Sequence, residues 1–155
     1  MPRQMSPERE REYSELRAYL DFYSTNVWGI DPSDPVHPTN VGERIVAEYG
    51  KSKALDGLKQ AVNDTVEELR HQPPESIQKL DAELRKAGLL TFSEIHRRYA
   101  SSYRKILKRG KIKNETEYYL IAGVLADSAS SADEEERETL AQLAARFESD
   151  AVTSD

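Results

Sequence analysis

Asp31, Asp34 and His37 follow at steps of three within WGIDPSDPVHPTN, and two hard carboxylates with an imidazole are donors that a divalent cation could take. No second His/Asp cluster stands nearby to complete a coordination shell, and aspartate before proline is an ordinary opener of turns, so no metal is expected there. His71 falls at a helix end, where its charge suits the dipole, and His96 flanks a basic stretch; neither has the setting of a general base. Gly50, Lys51 and Ser52 read like the end of a P-loop, but position 45 is Ile where that motif needs Gly, and no strand precedes it. A helix-ending glycine followed by a helix-starting serine accounts for all three. The chain has no cysteine, no G-x-S-x-G, no H-E-x-x-H and no EF-hand loop, so neither catalysis nor a cofactor is expected.

The strongest signal is electrostatic. His96 to Lys113, HRRYASSYRKILKRGKIK, carries Arg97, Arg98, Arg104, Lys105, Lys108, Arg109, Lys111 and Lys113 and no acid. These eight charges sit in a chain of net charge −6, so the remainder carries −14 and charge is segregated along the sequence. Such a stretch is either a solvated face or a binding surface. A second charged surface is the start of the last helix, where Glu134, Glu135 and Glu138 stand among nine acids between Asp127 and Asp155. Another protein is the expected partner, through one of these charged helices, in the manner of an interaction, inhibitor or regulatory module. The alternative is nucleic acid held by residues 96–113, with Ser101 and Ser102 as hydroxyl donors, although a pI near 5.2 argues against it.

The elements that must position these charges are helical. At about 100° per residue, Phe92, Ile95, Tyr99, Tyr103, Ile106 and Leu107 share one arc and the cations the opposite one. Thr91 with Glu94 makes a capping box and Gly110 ends the element, which predicts one basic helix over 91–109. Before it, Ile77, Leu80 and Leu84 mark a helix closed by Gly88. Helix, turn and basic helix outline a helix-turn-helix, but Glu94 then falls where that motif wants an apolar residue, so an αα-hairpin is expected.

At the N-terminus, Ser6-Pro7 starts a helix running to about Thr25. Its Tyr13, Leu16, Leu20, Tyr23 and Val27 form a seam for another helix or for a second copy of the chain. Pro32, Pro35 and Pro38 impose a loop, which Trp28 should anchor. Asn40 with Glu43 caps a short helix to Tyr49, and Leu55, Leu58, Val62, Val66 and Leu69 stripe the next. Asn114 with Glu117 opens a helix carrying Tyr118, Ile121, Val124 and Leu125, and DSASSAD links it to an acidic helix over 133–147.

Every apolar pattern of useful length is helical, which predicts an all-α, single-domain bundle of about seven helices over 1–148, with a frayed acidic tail over 149–155. The N-terminal residues lack the apolar core of a leader, and no apolar run is long enough to span a bilayer. The chain reads as soluble and cytoplasmic, with no membrane partner and with homodimerisation open.

Overall fold

The computed structural model describes residues 5–69 and 71–153. Among these residues there are eight α-helices and no strand, the all-α bundle that the periodicity requires. The helices group into two compact units, one comprising the chain to Thr65 with Gly88–Leu90, the other Val66–Ala87 with the chain from Thr91.

The first unit holds α1 (Pro7–Asn26), α2 (Pro38–Tyr49) and most of α3 (Lys51–Leu69). Ser6 caps α1 by accepting the Arg9 N–H. The α1 seam is consumed within the chain. Tyr13, Leu16, Leu20 and Tyr23 are buried against the chain's own helices and are not left for a second copy, whereas Val27 is 45 % exposed. Tyr19 is buried as well. Thr65 donates its hydroxyl to the Val62 carbonyl at 2.7 Å, so it is Tyr19 that donates to Thr65, at 2.9 Å. Trp28 does anchor the proline loop, edge-on to Tyr23 at 5.2 Å, but keeps 36 % of its surface exposed.

The second unit holds the last turn of α3 with α4 (Pro74–Lys86), α5 (Phe92–Tyr99), α6 (Ser101–Arg109), α7 (Glu115–Ala126) and α8 (Glu134–Thr153). The single helix expected over 91–109 is two. Ala100 takes an extended conformation (φ −88°, ψ 129°), its N–H closing α5 on the His96 carbonyl before α6 starts afresh. The sequence offers no Gly or Pro to announce this break, which is why the helix count is eight and not seven.

Helix α7 is central to the unit, packing on α4, α5 and α8, as its largely apolar composition, EYYLIAGVLA, demands. Gly123 lets α7 approach α5 closely, because a Cβ there would land on Ser93 Oγ and within 2.7 Å of Ser93 Cβ. Ile106, Ile112, Ile121 and Leu140 lie in one core cluster, with Leu107 and Phe147 half-buried at its edge. Arg137 of α8 donates to the carbonyls of Leu125 at 3.2 Å and Asp127 at 2.6 Å, closing the C-terminal end of α7. Helix α8 continues to Thr153, well past the end expected at 147, and takes up most of the segment read as frayed; residues 154 and 155 lie outside those described. No helix of the described residues is long and apolar enough to cross a membrane.

Candidate charged surface

The basic stretch divides at Ala100 into an inward and an outward half. Upstream of the break, Arg97 and Arg98 are drawn into the protein by Glu94, whose side chain is fully buried. Glu94 Oε2 accepts from Arg98 Nε at 2.7 Å, from Arg97 Nη1 at 3.1 Å and from the Ser131 amide and hydroxyl, and Oε1 accepts from Ser130 Oγ at 2.6 Å. Burial opposes this carboxylate's charge, but the hydrogen bonds from Ser130, Arg98 and Ser131 outweigh it and hold the pKa below the usual value. Arg97 also makes a bidentate pair with Glu136 of α8, at 2.6 and 2.7 Å, and donates to Ser131 Oγ at 2.9 Å. That pair raises the arginine's pKa and lowers that of Glu136. Tyr103 donates its hydroxyl to Glu136 too, and burial with this bond pushes the phenol up.

These contacts revise two sequence expectations. Glu94 does not complete a capping box. Thr91 Oγ1 accepts the Glu94 N–H at 3.1 Å as expected, but the carboxylate turns away to the arginines and serines. His96 does not flank a basic face: it is buried, hydrogen-bonded through Nε2 to Ser102 Oγ at 2.7 Å and edge-on to Tyr103. The break at Ala100 is thus bridged by a side-chain bond between α5 and α6.

Downstream of the break the cations face out. Arg104, Lys105 and Lys108 are exposed on α6, and Lys111 and Lys113 on the loop that follows. Among the described residues, none of these five side chains has an ion-pair partner. Gly110 turns the chain out of α6 in the left-handed conformation (φ 70°, ψ 25°) that its position predicts. Arg109 is shared, pairing with Glu117 at 2.8 Å. Glu117 also accepts the Lys113 N–H at 2.9 Å, while its own N–H is capped by Asn114. So three of the eight expected surface cations are bound to carboxylates, and the other five are exposed with no ion pair among the described residues. Ser101 is exposed beside them, whereas Ser102 is engaged by His96. On α8, Glu134, Glu135 and Glu138 are exposed and make no ion pair among the described residues, unlike Glu136 between them.

A second buried polar group was not singled out by the sequence pattern. Asp81 of α4 lies under the start of α5, accepting the Ser93 N–H at 3.0 Å and the Ser93 hydroxyl. Burial pushes its pKa up to about 6 despite these bonds.

The loop candidates of the first unit are not brought together as ligands. His37 is fully buried and caps α2, its Nδ1 accepting the Thr39 N–H at 3.2 Å, which places the ring proton on Nε2, 3.0 Å from Thr25 Oγ1. The cap of α2 is therefore His37 and not Asn40, whose amide instead donates to the Pro32 and Asp34 carbonyls and ties the proline loop shut. Asp31 and Asp34 each accept from the backbone two residues on, at 2.9 and 3.0 Å, the turn-opening role expected of them. The hydroxyl of Ser33 and its N–H hold the Asp31 carboxyl below its ordinary value. Among the described residues no group of three His, Asp or Glu is placed to hold a metal ion. Compared with family models, curated proteins and solved structures, the chain matches none.

Proposed function

We propose that this protein is an interaction module that engages an acidic partner protein through the exposed cations of α6 and the following loop. The observation that carries this reading is the division of the basic stretch. Arg97, Arg98 and Arg109 are bound to Glu94, Glu136 and Glu117, while Arg104, Lys105, Lys108, Lys111 and Lys113 stay exposed without a carboxylate, in a chain whose acids outnumber its bases. Cations left unpaired amid an excess of acid are a surface complementary to negative charge, which sets partner choice and encounter rate more than raw affinity. A net charge of −6 disfavours a long polyanion, and withdrawing Arg97 and Arg98 shortens the strip that could follow a phosphate backbone.

Fluorescence anisotropy tests the reading, with a labelled glutamate-rich helical peptide, duplex DNA and single-stranded RNA as probes at low and at raised salt. The peptide should bind the wild type, and the Arg104→Ala/Lys105→Ala/Lys108→Ala variant should bind it at least about tenfold more weakly, a loss of roughly 1.4 kcal/mol. Tighter binding of DNA or RNA, with a steep loss of affinity on adding salt, would move the surface to nucleic acid. Binding to none of the three would remove the surface altogether.

A further inference from the structure

The exposed charges of α6 and α8 share one spacing. Arg104, Lys105 and Lys108 stand at i, i+1 and i+4 on one helix, and Glu134, Glu135 and Glu138 stand at i, i+1 and i+4 on the other. At 100° and 1.5 Å per residue, each triad is a strip of about one turn covering about 100° of its helix. Both triads belong to the second unit, and within one chain they leave each other unpaired, while Glu136, on another side of α8, is used on Arg97.

We propose that the acidic partner of α6 is a second copy of this chain, whose α8 lays Glu134, Glu135 and Glu138 along Arg104, Lys105 and Lys108. This rests on the reading of α6 as a surface for an acidic protein and adds the identity of that protein. A two-fold pair makes the contact twice, α6 of each chain on α8 of the other, because in such an interface a residue that meets its partner is met in return. The strips agree in length, arc and number of charges, so each cation faces one carboxylate. Contacts of this kind are solvated and weakened by salt, so the pair forms at low ionic strength and separates when the screening length contracts from about 30 Å at 0.01 M to about 3 Å at 1 M. The apolar seam of α1 is not needed, Tyr13, Leu16, Leu20 and Tyr23 being buried within the chain.

Sedimentation equilibrium of the full chain, over a range of concentrations at both ionic strengths, is the test. At low salt the wild type should move from 17.6 kDa toward twice that mass as concentration rises, and at high salt it should return to 17.6 kDa. Two reversed variants sharpen this: Arg104→Glu/Lys105→Glu/Lys108→Glu, and Glu134→Lys/Glu135→Lys/Glu138→Lys. Each alone should stay monomeric, with helix content by circular dichroism as in the wild type, and an equimolar mixture of the two should recover the dimer at low salt. A wild type that is monomeric at all concentrations at low salt overturns the second copy, as does a dimer that either reversed variant keeps. The reading of α6 itself is judged separately by the glutamate-rich peptide: if the monomer binds it through α6, the surface stands and only its partner is wrong, and if it does not, both fall.

Discussion

Asp81 is a carboxyl that the fold removes from water, and its hydrogen bonds from Ser93 do not fully compensate. Its pKa of about 6 in the folded chain, against 3.8 unfolded, means that folding binds its proton more tightly. The stability it contributes is therefore full below about pH 4 and is lost as pH rises through 6, a difference of about 2–3 kcal/mol. Asp81→Asn keeps an acceptor for the Ser93 N–H and carries no charge to bury. Urea unfolding at pH 8 should find the variant as stable as the wild type or more so, with the order reversed near pH 4.5; parallel profiles would show that burial costs this carboxyl nothing. The roles of Ser6, Gly110 and Asn114 as caps were legible in the sequence, because a cap is a matter of neighbours three or four residues away. The roles of Asp81 and Glu94 were not, because each depends on serines remote in sequence, Ser93 at 12 residues from Asp81 and Ser130 and Ser131 at 36 and 37 from Glu94. The only hint was the position of Glu94, a charge at a site that the helix-turn-helix outline reserves for an apolar side chain. The side chain is indeed buried there, and Ser130 and Ser131, which read as mere linker, satisfy it.

At the scale of elements, periodicity located the helices, and interactions remote in sequence decided their ends. The amphipathic arc over 91–109 is real, as the burial of Phe92, Ile95, Tyr103 and Ile106 shows, yet it does not reveal that the backbone opens at Ala100 between them. Ile106→Asp would bury an unpaired carboxylate in the core shared by α6, α7 and α8 and should unfold the second unit, whereas Lys105→Ala should shift stability by no more than about 0.5 kcal/mol. Thermal melts separate the two, and a native-like melt for Ile106→Asp would put the wrong face inside. Gly123→Ala tests the packing of α7. Alanine is the better helix former by about 1 kcal/mol, but its methyl would displace Ser93 and the Asp81 carboxylate. The net result expected is a loss of about 1–3 kcal/mol in denaturant titration, and a gain would show that α7 has room to move away.

For the whole molecule, two sets of carboxyls set opposite limits of pH. Glu94 and Glu136 titrate below the ordinary 4.5, so their stability is present above that value and is lost as pH falls beneath it. Asp81 acts in the other direction, its contribution falling as pH rises from about 4 to about 6 and level above that. Together they place the stability maximum from these groups at about pH 4.5, more acid than the neutral optimum of an ordinary domain. Denaturation midpoints measured from pH 3 to 9 should trace that peak, and a profile rising steadily to pH 8 would contradict it. Charge segregation itself was plain in the sequence. Which of the charges remain exposed was not, since that depends on where Glu94, Glu117 and Glu136 arrive in space.

The segment DSASSAD has the composition of a flexible tether, but its backbone is spoken for. The amide of Ser131 is bonded to Glu94, those of Ala129 and Ser130 to Asp127, and the guanidinium of Arg137 holds the Asp127 carbonyl. Amide exchange across residues 129–131 should accordingly be slow, opening only when the ionic network opens, so that this stretch would resist a protease and would not tolerate an inserted sequence as loops of small residues commonly do.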